Sequence, residues 1–167
     1  RDMTGRFGIG VDTTIQAGRG LAATYYLNKW IGLQALVGID IQNVSPEGVD
    51  ASATRTDWLI AVRGIVPFQI SDSVNLGALL GLNFHGLTGK TRQGNTSRSD
   101  TDFDFSFDLA LRPEWFPAEN FSIHMMVGLS FLFAGDRNFD GDRGEYLRVN
   151  FFSMGDLFGS AGFTYYF

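Results

Sequence analysis

The fold is decided by an alternating stretch, DFDFSFDLALRPEW, at residues 102–115. Phe, Leu and Trp occupy nearly all of its odd positions, whereas Asp, Ser, Arg and Glu occupy most of the even ones. A period of two places these two kinds of side chain on opposite faces of a β-strand. The stretch therefore predicts a long strand with one apolar face and one charged face.

The same alternation returns along the rest of the chain and predicts eight strands. The predicted strands occupy 6–16, 21–28, 31–42, 57–68, 74–86, 102–115, 121–134 and 147–167. Most are long enough for a tilted membrane-spanning strand, which needs about 9–11 residues. Short connections such as NKW and FPAEN alternate with long polar ones at 43–56, 87–101 and 135–146. One end of the predicted sheet therefore carries tight turns and the other carries extended loops.

The composition limits the classes of function. The 167 residues suit a single domain, 1–167, and the net charge of −5 with no basic run argues against nucleic-acid binding. The absence of cysteine excludes a disulfide framework, a thiol nucleophile and a zinc–thiolate site. Arg1 follows no hydrophobic leader in this sequence, so we expect any secretion signal to have been removed or to lie outside it.

The polar faces of the strands carry charges of both signs. An eight-stranded barrel has an interior just wide enough for side chains to fill, so acids and arginines there would neutralise one another. The predicted lumen charge network consists of Asp12, Asp40, Arg63, Asp104, Asp108, Arg112, Glu114, Arg148 and Asp156. We expect this network to fill the lumen, and the alternative is an arginine constriction in an open pore.

The apolar faces carry large aromatic residues near both ends of the strands. Trp30, Phe68, Trp115, Phe121 and Tyr165 lie towards the short turns, and Trp58, Phe103, Phe133 and Phe151 lie towards the long loops. Two aromatic girdles around an aliphatic band are typical of a membrane-spanning barrel. The pattern favours that class over a soluble barrel with its apolar face inward.

With these features the chain resembles the small eight-stranded outer-membrane barrels of Gram-negative bacteria, the class of the OmpA transmembrane domain, OmpX and OmpW. The resemblance covers the whole chain and is most specific in the last strand. Members of this class end in an aromatic residue preceded by apolar residues at alternate positions, a signal read by the barrel-assembly machinery. Ala161, Phe163, Tyr165 and Phe167 match that signal.

The resemblance implies an all-β, antiparallel, up-and-down transmembrane β-barrel in the bacterial outer membrane. Both termini would be periplasmic, and the long loops would face the cell surface. The expected partners are membrane lipid, lipopolysaccharide and the assembly machinery, with no nucleic acid, and we expect a monomer. Loop 87–101 carries Lys90, Arg92 and Arg98, which could contact lipopolysaccharide phosphates.

A calcium loop is the sharpest local motif, in DRNFDGDRGE at 136–145. Alternating oxygen-bearing side chains followed by glycine resemble the start of a calcium-binding loop. The predicted ligands are Asp136, Asn138, Asp140, Asp142 and Glu145. The twelfth position is Leu147 instead of a bidentate Glu, so an acidic surface loop is the alternative. We expect no other cofactor.

No catalytic residues are predicted. His85 and His124 point inward at opposite ends of the predicted barrel, and no nucleophile motif accompanies Ser97 or Ser99 near His85. We therefore expect a non-enzymatic outer-membrane protein with a filled lumen and a structural or surface-interaction role carried by its loops. The alternatives are a narrow OmpW-like pore for small or hydrophobic solutes and, third, a lipid A-modifying enzyme.

Overall fold

The computed structural model describes residues 1–16, 18–44, 51–93, 96–134, 146–151 and 160–167. All regular elements in these ranges are β-strands. They are β1 (Phe7–Thr13), β2 (Arg19–Asn28), β3 (Ile31–Val44), β4 (Ala51–Gln69), β5 (Val74–Gln93), β6 (Thr96–Ala118), β7 (Phe121–Met125), β8 (Val127–Ala134), β9 (Tyr146–Phe151) and β10 (Ala161–Tyr166). No helix long and apolar enough to cross a membrane occurs within the described ranges.

The strands form one closed antiparallel sheet with eight barrel strands. Strands β1 to β6 pair in chain order. β7 and β8 both pair with β6 and are two parts of one barrel strand, interrupted at Met126. β9 pairs with β8 and β10 pairs with β7, so these two segments count as one barrel strand, the eighth. β10 also pairs with β1, which closes the barrel. The prediction of an all-β, eight-stranded, up-and-down barrel is confirmed.

Tight connections lie at one end of the barrel, which we call the turn end. Lys29 and Trp30 alone join β2 to β3, and Glu119 and Asn120 alone join β6 to β7. The first and last residues lie at the same end, where the Phe167 amide donates to the Phe7 carbonyl. The opposite end, which we call the loop end, carries the connections between β3 and β4 and between β5 and β6.

The outer wall of the barrel is apolar. Aliphatic side chains project outward at mid-height, and exposed aromatic side chains lie near both ends. The aliphatic group includes Ile9, Leu33, Val37, Ile60, Val62, Leu80, Leu109 and Leu111, and the aromatic group includes Trp30, Phe68, Trp115 and Tyr165 at the turn end and Phe84, Phe103 and Phe133 at the loop end. The outward apolar face is therefore as the sequence predicted.

Two of the predicted long loops are wrong in large part. β3 and β4 remain paired as far as Val44 and Ala53, and β5 and β6 remain paired as far as Gln93 and Thr96. Ser and Thr are frequent in these extensions, and Thr in particular has high strand propensity, so the backbone ladder continues after the apolar pattern has ended. The β5–β6 hairpin runs seven residues past Gly86, about 23 Å at the rise of a strand.

The first strand also departs from its prediction at Ile15. Alternation continued through the predicted strand 6–16 places Ile15 on the same apolar face as Phe7, Ile9 and Val11, but β1 ends at Thr13 and the Thr14 amide donates to the Gly18 carbonyl at 2.7 Å. The chain turns inward there, and Ile15 is buried in the lumen. The prediction failed because the turn begins before the apolar alternation ends.

Gly86 on β5 offers a test of the outer wall. The indole of Trp58 on β4 lies directly against Gly86, so a side chain there would displace the ring. Gly89, three residues further along β5, has open space within 4 Å of the point where a Cβ atom would stand. We expect Gly86→Val to lower the free energy of unfolding by about 1–3 kcal/mol through overpacking. Urea unfolding in lipid vesicles measures the change, and Gly89→Val is the control. Equal effects of the two substitutions would refute this packing role.

Candidate functional site

Asp12 holds the first of two buried ion pairs in the lumen. Its Oδ2 atom lies 3.1 Å from Arg63 Nη1, and both side chains are fully buried. Arg63 also donates to Gln34 Oε1 at 3.0 Å and to the Thr13 carbonyl at 2.7 Å. His124 Nε2 lies 3.1 Å from the same Asp12 oxygen, and this contact is an ion pair when the imidazole is protonated. With their neighbours Gln34 and His124, Asp12 and Arg63 therefore connect β1, β3, β4 and β7 across the lumen.

Glu114 holds the second ion pair, nearer the turn end. Arg112 Nη1 donates to Glu114 Oε2 at 3.2 Å. The Ser122 hydroxyl and the Tyr166 hydroxyl both donate to Glu114 Oε1, at 2.6 and 2.8 Å, and the Tyr26 hydroxyl donates to Oε2 at 3.3 Å. Four donors thus surround one buried carboxylate, which compensates for its removal from water.

A third polar group lies on β5 and β6. Asn83 Nδ2 donates to Asp108 Oδ2 at 2.8 Å and to the Ser106 hydroxyl at 3.0 Å. Within the described ranges, Asp108 Oδ1, Arg63 Nε and Arg112 Nη2 are buried without a hydrogen-bond partner. Buried polar atoms of this kind ordinarily bond to internal water. The middle of the lumen is therefore a continuous polar layer.

The nine predicted lumen charges do not all join this layer. Asp12, Arg63, Asp108, Arg112 and Glu114 are buried there. Asp104 is buried nearer the loop end, opposite His85 in the register. Asp40 and Arg148 are exposed at the loop end, and Asp156 lies outside the described residues. These two residues lie too near the mouth of the barrel for the strands to enclose their side chains.

Apolar side chains close the lumen at the turn end. Met3, Tyr26, Phe116 and Tyr166 belong to one buried cluster. The Tyr166 ring centroid lies 6.2 Å from those of Tyr26 and Phe116. Residues 1–6 cover this end, because the Gly5 amide donates to the Tyr26 carbonyl at 2.8 Å. Between the polar layer and the turn end, these buried side chains therefore close the lumen.

The described residues leave space in the lumen towards the loop end. Two cavities of about 260 and 570 Å³ lie there and share Gln16, Asp57, Trp58 and His85 in their walls. Gln16 reaches across the mouth and donates to the Ser130 hydroxyl at 2.8 Å. Formed by the described residues, the lumen is thus a well that widens towards the loop end.

The two histidines lie apart, as the sequence predicted. His124 contacts Asp12 in the polar layer, whereas His85 lines the mouth. Ser99 pairs with Lys90, five residues beyond His85, which is about 16 Å along the strand. The register therefore does not bring His85 to the serines of the hairpin.

Sequence reasoning missed the uncharged members of the lumen network. Gln34, Ser122 and Tyr166 each bond to a buried charge, and Tyr26 does so as well. All four lie on the polar face of their strands, which was the available signal. Their partners could not be read from the sequence because each partner lies on another strand.

The calcium ligands proposed from the sequence, Asp136, Asn138, Asp140, Asp142 and Glu145, fall outside the described residues, so that site stays a prediction. Among the residues that are described, no group of His, Asp and Glu has the arrangement of a metal site. Ala161, Phe163 and Tyr165 project outward from β10, followed by exposed Phe167. Their interpretation as an assembly signal also stays a prediction.

Removal of one partner from a buried pair tests the lumen network. We expect Asp12→Asn to lower the free energy of unfolding by about 3–5 kcal/mol, because Arg63 is left buried without its counter-charge. Asp57→Asn is the control, since Asp57 forms an equally short but exposed pair with Arg55, at 3.1 Å, and should cost less than about 1 kcal/mol. Urea titration in vesicles compares them, and similar losses would contradict the structural role of the Asp12 pair.

Comparison with known proteins identifies the fold. No protein-family model and no curated protein sequence matches the chain. Among solved structures, Ail, the attachment invasion locus protein of Yersinia pestis, matches 99% of this chain over all of its own length, with a TM-score of 0.52 and 16% identity. Ail in complex with the heparin analogue sucrose octasulfate gives 0.53 and 15%. The N-terminal β-barrel domain of Pseudomonas aeruginosa OprF matches with full coverage of both chains, a TM-score of 0.50 and 11% identity. The protein therefore has the fold of the small eight-stranded outer-membrane barrels.

Proposed function

We propose that the protein is a non-enzymatic barrel of the bacterial outer membrane, with a closed lumen and a surface-interaction role. The aromatic and aliphatic outer wall supports placement in a bilayer. Both chain ends lie with the short connections at the turn end, which supports a periplasmic turn end and a loop end at the cell surface. On this proposal the barrel is monomeric, and its partners are membrane lipid, lipopolysaccharide and, during insertion, the assembly machinery.

Contacts between side chains across the lumen support a structural barrel with a filled lumen over a pore. Two buried ion pairs bridge the strands, and the Tyr26–Phe116–Tyr166 cluster covers the turn end of the well. A solute crossing the barrel would have to break the Glu114 bonds and displace these rings. Lipid A modification is disfavoured because the hairpin serines lie far along the strand from His85.

Conductance separates the closed barrel from the narrow pore. We expect the purified protein to insert into planar bilayers without reproducible single-channel steps, because buried charges and apolar rings block the path. Insertion is checked independently by protease protection. Reproducible steps from inserted protein would overturn the closed lumen and favour the pore for small or hydrophobic solutes.

The observation that carries the surface role is the sheet that extends from the barrel at the loop end. β3, β4, β5 and β6 continue beyond the outward aromatic residues as a four-stranded sheet. β6 pairs with β8 only from Asp104 onward. In the described ranges, residues 96–103 of β6 have no partner strand on that side. Such an edge presents backbone donors and acceptors to which an extended segment of a partner can add.

A shortened hairpin tests this role. Leu87 and Asp102 are direct register partners, so residues 88–101 can be replaced by Asn-Gly, a two-residue turn that suits an antiparallel hairpin. We expect the variant to fold, which is checked by the difference in gel mobility between unheated and heated samples. Vesicles that carry it should no longer bind immobilised surface proteins and glycans. The panel includes a sulfated saccharide, because Ail was solved with one. Equal binding by both barrels, or by neither, would argue against the proposal.

A further inference from the structure

A cleft at the rim of the turn end lies outside the lumen and its charge network. It has a volume of about 340 Å³ and lies between the first residues of the chain, the β2–β3 turn and the end of β4. Its walls are formed by Arg1, Asp2, Lys29, Trp30, Pro67, Phe68 and Gln69. The cleft therefore combines charges of both signs with an aromatic side.

Lys29 supplies the cation of this cleft. It is one of only two lysines in the chain. The turn that carries it is held by Asn28, whose Oδ1 accepts from the Trp30 amide at 2.8 Å. The Lys29 ammonium lies 5.1 Å from the centroid of the Trp30 ring and makes no ion pair with any residue that the structure describes. Lys29 is therefore able to pair with an external anion.

Asp2 supplies the anion. Its Oδ1 accepts from the Thr4 hydroxyl at 2.6 Å and from the Thr4 amide at 2.9 Å, which fixes the carboxylate. These bonds, with a smaller contribution from Lys29, lower the pKa of the Asp2 carboxyl. The Arg1 guanidinium, by contrast, donates to the Glu119 carbonyl at 2.7 Å and is already engaged. The cleft thus presents one fixed carboxylate and one unpaired ammonium.

The aromatic side of the cleft indicates its level relative to the bilayer. Trp30 and Phe68 project outward and are 57% and 47% exposed, at the level where the apolar wall ends. Aromatic side chains at this level mark the boundary between hydrocarbon and headgroups in a membrane barrel. A lipid whose chains lie along the outer wall would therefore place its headgroup at the cleft.

We propose that this cleft binds the headgroup of a zwitterionic phospholipid of the phosphatidylethanolamine type, with its phosphate at Lys29 and its ammonium at Asp2. The charges of Lys29 and Asp2 match the headgroup in sign, since it carries one phosphate anion and one primary ammonium. Phosphatidylglycerol carries only the anion, and the choline headgroup has no N–H to donate to Asp2. This inference rests on the proposed placement of the barrel in a membrane.

Lipid retention tests the site. The barrel is reconstituted in vesicles containing equal parts of phosphatidylethanolamine, phosphatidylglycerol and phosphatidylcholine, and retained lipids are counted by native mass spectrometry. We expect phosphatidylethanolamine to be preferred, and Lys29→Gln to reduce its retention about fivefold, as for one lysine near lipid phosphate. Arg19→Gln, which removes an exposed cation at the opposite end of the barrel, is the matched control and should retain lipid like the unaltered protein.

A second variant separates the two charges. Asp2→Asn retains an oxygen for Thr4 but loses the charge, so phosphatidylethanolamine retention should fall to that of phosphatidylglycerol, which itself should not change. Unaltered retention in Lys29→Gln, or equal losses in Lys29→Gln and Arg19→Gln, would overturn the site while leaving the membrane barrel intact. Failure of the unaltered protein to insert into vesicles would instead refute the proposed placement in a membrane, on which the site depends.

Discussion

The barrel depends on the seam at which β10 pairs with β1, because that pairing removes the last free edges of the membrane-facing sheet. The seam is narrow on its inner side. The Tyr166 ring lies 2.7 Å from the position of a Cβ on Gly8, and Gly10 lies against the backbone of Phe163. Larger residues at these positions would separate the strands. Closure is required because an unpaired strand edge in hydrocarbon leaves backbone groups without partners.

Closure by eight strands also determines what the lumen can contain. The interior has room for side chains but little else, so a charge placed there needs a partner within reach. Arg63 meets Asp12, and Arg112 meets Glu114, each at hydrogen-bond distance. The same narrow interior lets Tyr26 and Tyr166 reach Glu114 from strands on either side of β1. A compact network of this kind connects strands on different sides of the barrel.

The two ends of the barrel differ because the connections differ. Two-residue connections at the turn end bring the strands into tight hairpins, and residues 1–6 cover the lumen there. At the loop end the β5–β6 ladder continues well beyond the outward aromatic residues, so the exposed sheet is an extension of the barrel wall. This division supports a surface role at the loop end and lipid contacts at the turn end.

The sequence by itself determined the strands, their inward and outward faces and the class of barrel. Alternation along residues 102–115 is a local property, and it survives in the structure as Phe103 outside and Asp104, Asp108 and Arg112 inside. Thr and Ser in the predicted loop at 87–101 concealed the continuing ladder, because their polarity resembles that of a loop. Ile15 was assigned to the outward face, but a turn after Thr13 ends the alternation before this residue is reached.

Only the tertiary structure decided which lumen groups meet. Asp12 is 51 residues from Arg63, and Tyr166 is 52 residues from Glu114. Their contacts depend on the register of strands that are distant in the chain, and a shift of one residue would turn each side chain to the other face. The cleft at the turn end has the same origin, since Asp2 and Lys29 approach only after residues 1–6 fold across the rim. Periodicity describes one strand at a time, whereas a site in a barrel is made by several.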